Sequence, residues 1–221
     1  MKCLIIAGGS IDFDQLKSIY KKMSDTSVYV ITCDRGTMYA LEAGIPVDKA
    51  IGDFDSVSKE EYEDIRVKVI SDSGEEAIEK LIPEKDDTDS EHAIRYAISL
   101  RPEEIIIMGA TGSRLDHTFS VINMLKLCFE QNVPACILDK NNRIRVLKGE
   151  FVFEKKNIYG KYISLIPYGE DAFIESISGF KYEIESTLLP KAAGLGVSNE
   201  LSQEKGVIKT RDYVIVFESK D

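Results

Sequence analysis

The chain has 221 residues, which suits one large domain or two small ones, and its 43% apolar residues are enough for a buried core. Its 28 basic and 38 acidic residues give a net charge of −10, which argues against a nucleic-acid partner because binding a polyanion requires a basic surface. An acidic protein can still bind a phosphate ligand when a divalent cation lies between them.

The first two thirds of the chain alternate short apolar runs with segments of helical spacing. Strands are predicted at 3–7, 28–32, 49–51, 67–70, 105–108 and 135–138. Helices are predicted at 11–23, 37–43 and 115–131, and after the capping residues Ser58 and Thr88, whereas 71–77 is predicted to be a loop. Alternating strands and helices imply a mainly parallel sheet covered on both faces.

The pattern changes after residues 139–142. Short β-rich segments follow at 143–147, 151–154, 162–167, 173–177, 180–184, 206–209 and 213–217. Turn residues separate them and helical spacing is absent, which predicts an all-β sandwich or barrel. We therefore expect an α/β domain over 1–140 and an all-β domain over 141–221.

The cysteines and the apolar runs bear on the cellular compartment. The four cysteines form no Cys-x-x-Cys pair and are expected to be thiols. The N-terminal apolar run is too short for a secretion signal, and no run approaches the roughly 20 residues of a membrane span. We expect a cytoplasmic protein without a membrane partner.

Three acidic motifs are candidates for a metal and phosphate site. Asp34 and Arg35 follow the second strand, at the strand end where open α/β sheets bind ligands, although a solvated ion pair in a turn is an alternative. Asp53 and Asp55 are two residues apart, so in an extended segment both can reach one cation, although an Asp-rich turn is equally consistent.

The third motif is Lys85-Asp86-Asp87-Thr88-Asp89, which opens a helix. Acidic residues are favoured there by the helix dipole, so Asp86 and Asp87 can be helix-start residues alone. Three acids in four positions exceed what one cap needs, and we expect at least one to be a ligand. Together the motifs predict a magnesium site, with Lys85 able to contact phosphate.

The segment 109–117 joins the most apolar strand to the longest helix. Its glycines allow backbone N–H groups to approach a phosphate at the helix N-terminus, and Arg114 can add a charge-assisted fork. His117 is equally consistent with a helix-surface residue, and His92 is expected on a helix face. In the β domain, segments 178–182 and 196–199 place an aromatic beside small polar groups, which suits a flat organic ligand or a pair of hairpin turns.

In this order and spacing, the motifs resemble those of the thiamine pyrophosphokinase family over almost the whole chain. The resemblance implies transfer of a pyrophosphoryl unit from ATP to the hydroxyethyl oxygen of thiamine, giving thiamine diphosphate and AMP. It also implies a homodimer whose active sites lie between the α/β domain of one subunit and the β domain of the other. Magnesium and ATP would be required.

The resemblance also implies roles for individual residues. Metal ligands would be Asp34, Asp53, Asp55 and Asp89. Catalytic residues would be Asp53, Asp55, Asp89 and Arg114, with Asp89 or Asp86 accepting the proton. Nucleotide binding is expected at Gly8, Gly9, Asp34, Arg35, Lys85, Asp86, Thr111, Gly112, Arg114, Asp116 and His117. Thiamine binding is expected at Ser178, Tyr182, Ser198 and Asn199.

Two positions depart from the family's pattern. Ser113 stands where a second glycine is expected, which is tolerable if its φ stays negative, and Tyr182 stands where some relatives carry tryptophan. The acidic motifs would look the same in a diphosphokinase for another alcohol such as a hydroxymethylpterin, and a metal-dependent phosphohydrolase is a second alternative. A third is a catalytically silent binding module, but it would have lost some of the acidic residues, which are all present here.

Overall fold

The computed structural model describes residues 1–81 and 87–221. These form two compact units, Met1–Lys140 and Asn141–Asp221, which divide where the sequence pattern changes. Within the described part of the chain, none of the helices combines the length and the apolarity of a membrane span.

The first unit is built on a parallel sheet whose strands follow the apolar runs. The strands are β1 (Lys2–Ile6), β2 (Val28–Cys33), β3 (Lys49–Gly52), β4 (Ile78–Lys80), β5 (Ile105–Met108) and β6 (Ala135–Leu138). Their spatial order is β4-β3-β2-β1-β5-β6, with every pair parallel. The side chains of β5 are all buried, as expected for a central strand covered on both faces.

Among the described residues, five α-helices connect these strands: α1 (Phe13–Met23), α2 (Arg35–Glu42), α3 (Lys59–Ser73), α4 (Asp89–Ser99) and α5 (Leu115–Glu130). Several begin at side chains that accept a hydrogen bond from the first helical turn. Ser58 forms a full capping box with Glu61 at the start of α3, and Thr88 accepts from the Glu91 N–H at 3.2 Å at the start of α4. The side chain of Thr88 thus fixes where α4 begins, and Asp89 is its first residue.

The predicted strand at 67–70 is wrong, because these residues belong to helix α3. Ile65 and Val69, four residues apart, are buried, whereas Val67 between them is 69% exposed. That is the burial of one helical face, and the helix started by the Ser58 capping box continues through it. The strand next to β3 is instead the three-residue β4. The loop predicted at 71–77 is also wrong in part, because α3 continues to Ser73 and Glu75–Ala77 forms a short 3₁₀ helix.

The second unit is all-β, as predicted, and its strand pairs are antiparallel. Its strands are β7 (Asn142–Glu154), β8 (Tyr162–Pro167), β9 (Ala172–Ser178), β10 (Ile184–Leu189) and β11 (Lys205–Ser219). Strand β11 pairs with β7 along its whole length, and its other edge pairs first with β9 and then with β8. Strands β7 and β11 therefore form one long ribbon, and β8 and β9 pair with its β11 edge. The unit has a buried apolar cluster that includes Phe153, Ile163 and Phe180.

Four of the predicted β segments merge into two long strands in this unit. Segments 143–147 and 151–154 form β7, and segments 206–209 and 213–217 form β11. The β11–β7 pairing shifts register between Thr210 and Val214, which explains the polar gap in the sequence. The segment predicted as a strand at 180–184 mostly precedes β10, which begins at Ile184.

Candidate active site

The loops after β1 and β5 meet where the strand order reverses. The Gly9 N–H donates to the Gly109 carbonyl at 2.7 Å, and the Ser10 N–H donates to the Thr111 carbonyl at 2.7 Å. A Cβ at Gly9 would overlap the carbonyl oxygens of Gly109 and Thr111, so this approach requires glycine. Ligands of open α/β sheets bind at such a switch point, beyond the carboxyl ends of the strands.

Asp34 occupies a strained position between β2 and α2. Its φ is 44°, in a region that residues other than glycine rarely adopt. The carboxylate oxygen Oδ1 accepts the Phe54 N–H at 3.0 Å, and it packs so closely on Gly52 that a Cβ there would overlap it. The sharp turn therefore directs the carboxyl group onto the loop that follows β3.

Three carboxylates converge at this point. Asp34, Asp53 and Asp89 each offer an oxygen, and these oxygens lie within 4.8 Å of one another. Burial, followed by the charge of Asp89, raises the pKa of Asp34 to about 7. Like charges this close favour a cation between them, and three oxygen donors suit a hard divalent ion. The donor set therefore fits magnesium.

Asp55 stands apart from this group. Its side chain is exposed, and its backbone N–H donates to Asp53 Oδ1 at 3.0 Å. The nearby charge of Asp53 raises the pKa of Asp55, yet Asp55 is not among the three carboxylates that converge. The extended geometry expected to aim Asp53 and Asp55 at one cation is not present, because Phe54 between them has a φ of 60°.

A cavity of about 400 Å³ surrounds the carboxylates and includes most of the predicted nucleotide-binding residues. The predicted residues that line it are Gly8, Gly9, Asp34, Arg35, Asp53, Asp55, Asp89, Thr111, Gly112, Arg114 and His117. Asp116 is not part of the lining, and Lys85 and Asp86 lie outside the described residues.

Two arginines border this cavity. Arg114 forms a bidentate ion pair with Asp116, and both side chains are exposed. The Nε atom of Arg114 lies 3.3 Å from Asp116 Oδ1, and one of its terminal nitrogens lies 2.6 Å from Asp116 Oδ2. Arg35 donates to the Ser56 carbonyl at 2.6 Å. Ser113 does not have a positive φ, which satisfies the condition for replacing a glycine there.

Sequence reasoning missed several polar residues of the cavity wall. Ser56 and Ser90 line it, as does Thr88, which was identified only as a helix cap. Each lies next to a recognised acidic residue in the sequence. Their position next to an acidic residue was the only sign in the sequence of a role in the site. That position does not show whether a side chain faces the cavity or points away from it.

The β unit has a separate, larger cavity of about 550 Å³. Its wall is mainly apolar and includes Ile163, Leu165 and Phe180, and its polar lining residues include Tyr182 and Asn199. Of the four predicted thiamine-binding residues, Ser178 and Ser198 do not line this cavity. An apolar pocket with some polar lining residues suits a ring compound with few hydrogen-bonding groups.

The Asn199 side chain is engaged with the backbone of Tyr182. Its Oδ1 accepts the Tyr182 N–H at 3.0 Å, and its Nδ2 donates to the Tyr182 carbonyl at 2.8 Å. Tyr182 is 58% exposed, and Lys181 Nζ lies 5.4 Å from its ring centroid. Asn199 therefore fixes the backbone that presents an exposed aromatic residue.

The two units match two parts of one enzyme family. Residues 20–137 match the family model "Thiamin pyrophosphokinase, catalytic domain", and residues 149–215 match "Thiamin pyrophosphokinase, vitamin B1 binding domain". The chain is 32% identical over 200 residues to thiamine pyrophosphokinase of Bacillus subtilis, covering 90% of each chain. The chain belongs to the thiamine pyrophosphokinase family.

Solved structures of family members agree with this assignment. The crystal structure of thiamine pyrophosphokinase from Bacillus subtilis superposes with a TM-score of 0.85 at 30% identity, covering 100% of both chains. That from Geobacillus thermodenitrificans gives 0.81 at 31% identity, covering 100% of this chain and 98% of the other. The predicted family, fold class and enzyme class are confirmed, and the alternative reactions are not favoured.

Proposed function

We propose that the protein transfers the pyrophosphoryl group of ATP to thiamine, giving thiamine diphosphate and AMP. The observation that carries this proposal is the convergence of Asp34, Asp53 and Asp89 beside the glycine loops of the catalytic unit. Three carboxylates alone would repel a triphosphate, so the arrangement is suited to binding one through a cation. The match of the β unit to a vitamin B1 binding domain supports thiamine as the acceptor.

Magnesium would be held by Asp34, Asp53 and Asp89, with Asp55 at the margin of the same cavity. An ion held by these residues would supply positive charge that offsets the charge of the phosphates. The fold holds two of these carboxylates in position: Asp34 lies in the turn after β2, and Asp89 is the first residue of α4. We assign Asp53 to the same role on the loop after β3.

The reaction requires one bond to form and one to break at the β-phosphorus of ATP. The hydroxyl oxygen of thiamine bonds to this phosphorus, and the bond to the bridging oxygen of the α-phosphate breaks, so that AMP leaves with the electron pair. The hydroxyl proton passes to a base, for which a carboxylate of this acidic cluster is our candidate. Arg114, held by Asp116 at the start of α5, would place positive charge beside the transferring group.

The β unit would bind the acceptor. Its apolar cavity suits the rings of thiamine, and Tyr182 in its lining offers an aromatic face for stacking. Asn199 would act through Tyr182, because its side-chain amide is hydrogen-bonded to the Tyr182 backbone. Ser178 and Ser198 are exposed and stay as predicted contacts to thiamine.

We further propose a homodimer in which the α/β unit of one subunit and the β unit of the other complete each active site. Exposed apolar side chains on the first unit support an interface, with Leu115 66% and Phe119 62% exposed on one face of α5. Light scattering of the purified protein tests this state, and a monomer at micromolar concentration would contradict it.

We also propose that the enzyme works in the cytoplasm. All four cysteines are buried thiols that form no disulfide, which suits a reducing compartment. Fractionation of the source cells with detection of the protein by antibody tests this location.

A single assay tests the reaction. Purified protein is incubated with magnesium, ATP and thiamine, and AMP and thiamine diphosphate are quantified by chromatography. We expect AMP to form only when thiamine is present and in equal amount to thiamine diphosphate. AMP formation that is independent of thiamine would refute the proposal, and a hydroxymethylpterin in place of thiamine serves as the control acceptor.

A further inference from the structure

A polar network links helix α4 to the edge of the parallel sheet, close to the carboxylate cluster. His92 Nε2 lies 2.8 Å from Glu79 Oε1, and Lys49 Nζ lies 3.1 Å from Glu79 Oε2. Glu79 on strand β4 thus contacts both helix α4, through His92, and the neighbouring strand β3, through Lys49. Neither the predicted site nor the cavity around the carboxylates includes His92 or Glu79.

The network is partly shielded from solvent, so its contacts are not those of a freely solvated ion pair. The side chain of Lys49 is only 15% exposed, and those of Glu79 and His92 are 33% and 34% exposed. Lys49 also donates to the Glu76 carbonyl at 3.0 Å. Hydrogen bonds to the carboxylate from both partners lower the pKa of Glu79 against the opposing effect of burial.

The position of His92 on the helix connects this network to the metal site. Asp89 and His92 are the first and fourth residues of α4, so they lie on the same face, one turn apart. On the sheet side, Glu79 is registered with Ile51, one residue before Gly52. The Leu81 N–H donates to the Gly52 carbonyl at 2.8 Å, which continues the pairing to the residue before Asp53.

We propose that His92 and Glu79 are positioning residues that fix Asp89 relative to Asp53 and so set the affinity of the site for its divalent cation. This proposal rests on the proposed function, since it assumes that the carboxylate cluster binds the cation. The edge strand β4 is only three residues long, and in the described part of the chain it pairs with β3 alone. The contact between Glu79 and His92 therefore restrains β4 against α4, where β4 has few backbone hydrogen bonds to hold it.

Binding of Mn²⁺ alone, measured by the loss of the free-ion electron paramagnetic resonance signal, tests the proposal without any substrate. His92→Phe keeps the ring but cannot bond to Glu79, and we expect it to raise the Mn²⁺ dissociation constant about tenfold. Glu79→Gln should act in the same direction. His92→Gln retains an N–H donor and should restore most of the affinity.

Tyr96→Phe is the matched control, because Tyr96 lies one turn further along the same helix face. It removes a hydroxyl contact of 3.2 Å to Tyr29 without touching Glu79. We expect Tyr96→Phe to leave Mn²⁺ binding unchanged. Equal weakening by Tyr96→Phe and His92→Phe would show that only helix stability matters and would overturn the proposal, as would unchanged binding in His92→Phe.

Steady-state kinetics separate this proposal from the proposed function. In the His92→Phe variant, we expect the magnesium concentration for half-maximal AMP formation to rise while kcat at saturating magnesium stays close to that of the wild type. A loss of kcat without a change in the magnesium requirement would contradict a positioning role. If the wild-type protein forms no thiamine-dependent AMP, the proposed function fails, and the Mn²⁺ measurements still decide whether His92 positions the cluster.

Discussion

Asp34 combines an unfavourable backbone conformation with an unfavourable electrostatic environment. Its φ is 44°, and its carboxyl group is partly buried beside Asp89. Such strain is maintained when the surrounding structure requires the side chain to be in one place. Here the Phe54 N–H and the close approach of Gly52 fix the carboxyl group on the loop after β3.

Replacing Asp34 by Asn should stabilise the metal-free protein while it abolishes activity. The pKa of Asp34 is about 7 in the folded chain and near 3.8 in the unfolded chain, so the folded chain holds the proton more tightly. The free energy of unfolding of the wild type therefore falls as the pH rises from about 4 to about 7. Asn cannot ionise, so the gain in Tm over the wild type should grow across this interval and stay constant above it. Thermal unfolding in EDTA measures this, and a gain that does not change with pH would point to backbone preference instead.

Asp53 and Asp55 should differ in their effects on activity. Asp53 is part of the converging carboxylates, whereas Asp55 is exposed at the margin of the cavity. We expect Asp53→Asn to reduce activity at saturating magnesium by more than about tenfold, equivalent to about 1.4 kcal/mol of barrier, and Asp55→Asn to reduce it less. Initial rates of AMP formation test this order. A decrease below tenfold for Asp53→Asn would remove it from the ligand set.

The convergence of three acidic residues was predictable from the sequence, but the separate position of Asp55 was not. Asp34, Asp53 and Asp89 are all recognisable from their motifs, and the structure brings them together. The separation of Asp55 depends on the positive φ of Phe54, and a sequence of alternating Asp and Phe gives no sign of that conformation. Contacts that depend on tertiary packing, such as those of His92 and Glu79, were equally hidden.

At the scale of elements, Ser58 caps helix α3 and Thr88 caps helix α4, and these two helices differ in whether they contribute a residue to the site. Ser58 accepts the Glu61 N–H at 3.2 Å at the start of α3, and Thr88 accepts the Glu91 N–H at the same distance at the start of α4. Only α4 carries a carboxylate of the cluster in its first turn. The two helices therefore allow the effect of a cap on stability to be compared with its effect on the site.

Ser58→Ala and Thr88→Ala should each lower the free energy of unfolding by about 1 kcal/mol, because each removes one hydrogen bond to the first helical turn. Only Thr88→Ala should also raise the magnesium concentration needed for half-maximal activity. Urea unfolding and magnesium titration of the rate test both effects. An equal shift in the magnesium requirement for both variants would indicate a general loss of stability.

Helix starts were easier to predict than the strands between them. Ser58 and Thr88 were identified as caps, and helices begin directly after both. The apolar run at 67–70 was ambiguous, because four consecutive residues fit a buried strand and also part of a helix. The capping box upstream resolves the ambiguity, since the helix it starts has no breaker before Gly74.

At the scale of the molecule, the change of periodicity near residue 141 predicts a change of architecture, and the two compact units divide there. Apolar alternation identifies strands of the second unit but not their length, because Gly149 and the irregular stretch after Thr210 interrupt the pattern within continuous strands. The periodicity of one chain carries no information on the proposed pairing of two subunits.

The proposed sharing of active sites predicts that two inactive variants restore activity in each other. Asp53→Asn alters the α/β unit and Tyr182→Ala alters the β unit, so a mixed dimer contains one site with both defects and one with neither. Coexpression with two affinity tags isolates mixed dimers, each of which should have about half of the wild-type activity because one of its two sites is intact.

The control is a mixed dimer of an Asp53→Asn subunit and an Asp34→Asn subunit. It should stay inactive, because both changes fall in the α/β unit and each site then carries one of them. Mixed dimers that remain inactive would place each complete site within one subunit, and failure to recover any mixed dimer would argue against the homodimer.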